Sequence, residues 1–261
     1  KPEMMDKNLK WHFVSTGGGD EDGLNNSKVE YFSGDFNYYL ARETIQNSID
    51  ARKDKSQPVE VIFKLENFKT KDFPGINQMC DILTRGAEYW AESPETKKFL
   101  NSAKNILSQN EIPFLRISDY NTLGLNGSDD DKKGGWYSLV RSTGNSSKAS
   151  GEGGSFGIGK GAPFAASNLR IVFYATKNDA AVSIFQGKAE LVSFKDEDSD
   201  IKRGVGSYGF SQNSVRDIAH IPECFWRKKQ GTDIIVAGYK VTNDWIEDLI
   251  KSILRNFWYA I

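Results

Sequence analysis

The amino-acid sequence predicts an α+β fold in which a mixed, mostly antiparallel sheet carries helices on one face. Three observations point there. Stretches rich in β-branched and aromatic residues recur along the chain, bounded by turn residues. They outnumber the βαβ units that could be drawn through them, which disfavours a doubly wound parallel sheet. The best-defined helical stretches are amphipathic, with an apolar stripe suited to packing on a sheet.

Taken in order, the glycine-rich stretch TGGGDEDG (16–23) reads as a mobile loop, and a helix is expected over 36–52. VEVIFKL (59–65) is a strand, two helical pieces fall between 76 and 109, and FLRISD (114–119) is a second strand. NGSDDDKKGG (126–135) reads as another mobile loop. LRIVFYAT (169–176) is a strand, AAVSIFQGKAELVSF (180–194) a strand pair turning near Gly187, and TDIIVAGY (232–239) a last strand. The terminal stretch DWIEDLIKSILRNFWYAI carries Trp245, Ile246, Leu249, Ile250, Ile253, Leu254 and Phe257 at helical spacing. So apolar an end suggests that more chain follows, with residues 1–261 forming one domain in the N-terminal part of a longer protein. No internal repeat is visible.

Composition narrows the function. A formal net charge of −1 lacks the excess expected of a nucleic-acid binder, and basic runs such as Arg227 to Lys229 read as solvated surface. With no apolar run approaching ~18 residues and no signal-like start, a cytoplasmic protein without a membrane partner is expected. Cys80 and Cys224 stand far apart without metal-ligand spacing and read as buried, inert thiols. Two histidines, His12 and His220, leave little material for a Ser-His-Asp site or a His-rich metal centre.

Two stretches carry chemistry. GGSFGIGKGAPF (153–164) holds glycines and Lys160 before a short helix with Pro163 near its first turn. It misses a P-loop by the final Ser or Thr and a dinucleotide fingerprint by one residue, and polar residues 142–152 replace the strand that either motif needs. Phosphate binding at a helix N-terminus and a plain tight turn both fit. In LARETIQNSIDARK (40–53), Glu43, Asn47 and Asp50 fall within about 60° on one helix face, opposite Ala41, Ile45 and Ile49. Taken alone this reads first as an ordinary solvated stripe; the functional reading is a hard-cation ligand beside a general base.

Glu43, Asn47, Asp50 and Ala51 match E-x-x-x-N-x-x-D-A, and the chain here resembles the GHKL ATPases, the superfamily of gyrase B, the large heat-shock chaperone, histidine kinases and MutL. Three further boxes follow in order. Asp119 ends a strand, as does the family's adenine-binding aspartate. The D-x-G-x-G pattern departs here, with Asn121 at the first glycine and Gly124 one residue late, although Asn tolerates positive φ. Gly153, Gly154, Ser155, Phe156, Gly157, Ile158, Gly159 and Lys160 resemble the second glycine box, and GTDIIV resembles the G-T-x-I/V strand through Thr232.

The resemblance spans most of the chain and implies a two-layer α/β sandwich of GHKL (Bergerat) type with ATP and Mg²⁺ as ligands. Glu43 would activate water, Asn47 would hold Mg²⁺, and Asp50 would support the nucleotide through water or else cap local structure. Asp119 and Thr232 would read adenine, with Thr232 beneath the base. Residues 153–161 would wrap the phosphates, with Lys160 neutralising charge, or standing as a surface lysine. Slow hydrolysis would drive closure of a lid around residues 125–152, and with it homodimerisation. Histidine-kinase-type phosphotransfer and a non-hydrolysing, nucleotide-gated interaction module are the alternatives that the same residues allow.

Overall fold

The computed structural model describes residues 9–142 and 158–259. The fold is α+β and is built on one eight-stranded sheet. Its strands are β1 (Leu9–Ser15), β2 (Glu60–Lys69), β3 (Glu111–Tyr120), β4 (Ser167–Lys177), β5 (Ser183–Glu190), β6 (Phe194–Lys195), β7 (Ile201–Phe210) and β8 (Gly231–Tyr239). They run in the order β1-β7-β5-β4-β8-β3-β2, with β6 on β7, and every pairing among them is antiparallel.

The helices are α1 (Ser27–Ser33), α2 (Phe36–Asp50), α3 (Ile76–Tyr89), α4 (Pro94–Leu107), the single turn α5 (Ala162–Ala165) and α6 (Trp245–Phe257). Strand periodicity decides where they sit. Leu115 and Ile117, Val172 and Tyr174, and Ile234 and Val236 point to one face, where Val29, Phe32, Leu40, Phe164 and Trp245 cover them. This helical layer on an antiparallel sheet is the expected sandwich. The alternate residues Phe114, Phe173 and Ile235 point to the reverse face, where Met79, Leu83 and Leu100 of the α3–α4 pair meet them. The expectation of helices on a single face is thus extended by this pair, because the central strands are apolar on both sides; every residue of β8 is buried.

Two strands escape the sequence reading. β1 and β7 pair over Leu9↔Phe210 to Phe13↔Gly206 and form the edge away from β2. The turn expected near Gly187 is absent; Gly187 lies inside β5, where a Cβ would stand 2.9 Å from both Phe173 and Trp11. Nor are the cysteines buried as expected: Cys80 is half-buried and Cys224 is exposed, and both are free thiols. The stretch 126–135, expected to be loose, is tied down. Trp136 Nε1 donates to Asp129 Oδ1 at 3.0 Å, and the other Asp129 oxygen accepts from the Ser214 amide and hydroxyl at 3.1 and 2.9 Å. Among the described residues, no helix is long and apolar enough to cross a membrane.

Candidate nucleotide site

The second half of α2 packs over the ends of β3 and β8, and a pocket of about 390 Å³, counting its open mouth, lies between them. Its walls are Thr44, Asn47, Ser48 and Ala51 from α2, Ile117 and Asp119 from β3, and Thr232 and Ile234 from β8. Gly124, Leu125 and Leu139 close the remaining side. That lining, largely apolar with a few polar groups, suits a small planar ligand.

The buried stripe of α2 differs from the expected Ala41, Ile45 and Ile49. It runs through Leu40, Ala41, Thr44 and Ser48, whereas Ile45 and Ile49 are only half-buried. Thr44 and Ser48 are tolerated inside because their hydroxyls donate to the carbonyls of Leu40 and Thr44, one turn back, at 2.7 and 3.0 Å. Burying the Ser48 hydroxyl also places it 3.1 Å from Asp119 Oδ2.

Asp119 is buried, and its two oxygens are unequally occupied. Oδ1 accepts from the Thr232 amide at 2.6 Å and the Thr122 hydroxyl at 2.7 Å, whereas Oδ2 takes only Ser48 among these protein donors. Oδ2 therefore keeps acceptor capacity. Burial pushes the Asp119 pKa above the ordinary carboxylate value; the Thr232 amide, the Thr122 hydroxyl, the Arg227 charge and the Ser48 hydroxyl oppose that rise. Thr232 supports Asp119 through its backbone amide, while its hydroxyl pairs with Thr176 Oγ1 at 3.1 Å.

Arg227 was missed as a site residue. Read as solvated surface, it is instead buried. It donates to the Asp119 carbonyl oxygen and to Asp233, and stacks over the Tyr120 ring, while Lys228 and Lys229 remain exposed. Asp233 is held from its other side by Arg116 Nη1 at 3.1 Å, and Arg116 in turn pairs with Glu66. Gly231, at φ +131°, makes this packing possible, since a Cβ there would stand 2.4 Å from both Arg227 Nη2 and the Asp119 oxygen.

The two positions that depart from D-x-G-x-G behave differently. Asn121 has φ +57°, as its tolerance of the left-handed region allows, but it does not line the pocket. Its amide donates to the carbonyls of Asp54, Gln57 and Pro58, stapling the turn after α2. Gly124 lines the pocket at φ +70°, with the Lys177 carbonyl 2.6 Å from where a Cβ would stand. A side chain there is excluded by both backbone and space.

Glu43 and Asn47 lie one turn apart on α2. Asn47 is exposed at the pocket wall, whereas the Glu43 side chain is 18% exposed and lies against the glycine turn. A Cβ on Gly159 would fall 2.0 Å from Glu43 Oε2, so a side chain there would push the carboxylate aside. Gly161 similarly abuts the Lys28 carbonyl of α1. Asp50 is exposed away from the pocket and accepts from Gln46 Nε2 at 2.8 Å. Gly153, Gly154, Ser155, Phe156 and Gly157 lie outside the described residues, as does the lid beyond Ser142; Ile158 opens the short turn Ile158–Gly161. Among the described residues, no cluster of three or more His, Cys, Asp or Glu is placed to hold a metal. A Mg²⁺ ion here would rest on Asn47 and on ligand oxygens, which suits an ion that keeps few protein contacts.

Lys160 is half-buried and donates to the Ser142 carbonyl at 3.0 Å and its hydroxyl at 2.7 Å. Burial, then the neighbouring Lys28 charge, brings its pKa down to about 8. At pH 8 about half of Lys160 is neutral, against well under 1% of a lysine at the ordinary 10.5. Limited acetylation followed by peptide mass mapping is therefore expected to modify Lys160 ahead of exposed lysines such as Lys251; equal rates would refute the lowered pKa. No protein-family model matches the chain, and no curated protein matches it significantly.

Proposed function

We propose that the pocket binds ATP with Mg²⁺ and that the protein hydrolyses it slowly, with closure of the lid around residues 125–152 and dimerisation as the consequence. The observation that carries this reading is the unequal occupation of Asp119. A buried carboxylate on the pocket wall has one oxygen saturated by Thr232 and Thr122 and the other left with room for a donor, such as the amino group of adenine. Ile117 and Ile234 supply apolar surface for the base.

From that wall, α2 leads outward to Asn47 and then Glu43, and Glu43 meets the Gly159 turn. Asn47 would hold Mg²⁺ through its amide oxygen, and the ion would supply charge neutralisation at the phosphates. Glu43 would take a proton from the attacking water, and Lys160 would offset phosphate charge. The order of these groups along α2, base reader beside its later turns and acid toward its start, is what a nucleoside triphosphate laid along that helix requires. The four sequence boxes of GHKL type support the same order.

Titration with a non-hydrolysable ATP analogue, with and without Mg²⁺, tests the reading. Saturable binding that Mg²⁺ strengthens is expected. Absence of binding under both conditions would overturn it.

A further inference from the structure

One face of α6 is covered and another is not. Leu249, Ser252 and Phe257 are buried, and Ser252 and Asn256 bond to Tyr38 of α2. On the adjoining face Ile246, Ile250, Leu254 and Trp258 stand 53%, 49%, 47% and 67% exposed. Their spacing of four residues makes one continuous apolar ridge along the whole helix. Other exposed apolar side chains, such as Ile62, Val182 and Ile218, are scattered over separate elements. Scattered apolar residues need no partner, whereas an ordered ridge ending in tryptophan has the composition of an interface centre.

We propose that this ridge is a homodimer contact, in which a second copy of the chain lays its own α6 antiparallel across it about a two-fold axis that passes between Ile250 and Leu254. Charge complements this antiparallel arrangement. The row beside the ridge, Glu247, Lys251 and Arg255, is acidic at the start of the helix and basic at its end. An antiparallel copy sets Glu247 against the partner copy's arginine at both ends, while Ile250 meets leucine and Ile246 meets tryptophan. In the antiparallel pair only the central lysines face each other, and each already has Glu247 and Asp248 of its own helix at 3.9 and 3.8 Å. Ridges spaced by four residues on both helices interlock at a crossing angle near −50°, so the two molecules would cross obliquely. This contact involves no pocket residue and needs no nucleotide.

Sedimentation equilibrium of the purified protein from about 1 to about 500 µM, without nucleotide, tests the contact. A monomer–dimer equilibrium is expected, and Ile250→Glu with Leu254→Glu, both on the exposed face, should give a folded monomer by circular dichroism. Glu247→Lys alone should weaken dimerisation about tenfold, and adding Arg255→Glu should recover most of it, because the swapped pair again attracts. A protein that stays monomeric throughout would leave this face to another partner and overturn the proposal. So would a dimer indifferent to the two glutamates, and failure of the charge swap to recover would overturn the antiparallel arrangement.

Discussion

Glu43→Gln is expected to lower ATP turnover by roughly 10² to 10⁴-fold while leaving ATP binding nearly intact. The expectation rests on where the carboxylate stands. It lies on α2 one turn before Asn47, is mostly shielded from solvent, and stands against the backbone of Gly159. A carboxylate so placed can take a proton from water held at the end of a phosphate chain, and Gln preserves its shape while removing its basicity. Steady-state phosphate release, measured beside equilibrium binding of the same variant, separates the outcomes. Loss of turnover with binding retained assigns Glu43 as the base. Undiminished turnover would remove it from the chemistry, and loss of binding as well would make it a structural support of the glycine turn. Transfer of the terminal phosphate to an added protein in place of water would favour the kinase-type alternative, and binding without turnover in the unaltered protein would favour the nucleotide-gated module.

The parts of this architecture legible in the sequence are those where side-chain pattern and local structure agree. β3, β4 and β8 read as apolar runs because both of their faces are covered, and Asn47 of the α2 box shares one pocket with Asp119 at the end of β3. β7 was hidden by its own glycines. Gly206 lies against the Phe13 ring, with a Cβ position only 2.3 Å from it, so the strand gave up its β-forming side chains to admit an aromatic from β1. The buried stripe of α2 was misplaced because Thr44 and Ser48 look solvent-facing until their hydroxyls are seen to bond back along the helix. Arg227 sits in a basic run whose neighbours are exposed; its burial depends on Asp233 and on a carbonyl 108 residues earlier, which no local pattern encodes.

Asp119→Asn is expected to weaken adenine-nucleotide binding by about tenfold or more with little loss of fold, since a hydrogen bond to a charged group contributes about 1.5 to 3 kcal/mol. The near-isosteric amide can keep its oxygen toward the Thr232 amide and Thr122 hydroxyl while its nitrogen faces Ser48, whose oxygen can accept. The group turned to the pocket then becomes a donor, and a donor from the base meets a donor from the protein. Acid should imitate the substitution. Because burial raises the Asp119 pKa, the folded protein takes up this proton at a higher pH than the unfolded chain, whose value stays near 3.8. As pH falls through the folded pKa, proton uptake at this one group favours the native state while it removes the acceptor. Nucleotide affinity should therefore decline on mild acidification in the unaltered protein, and the decline should be much smaller in Asp119→Asn. Isothermal titration calorimetry of both proteins across that range, with thermal melts alongside, checks both statements. Equal affinity of the two proteins at neutral pH would show that the base is not read by Asp119, and an equal decline in both would place the titrating group elsewhere.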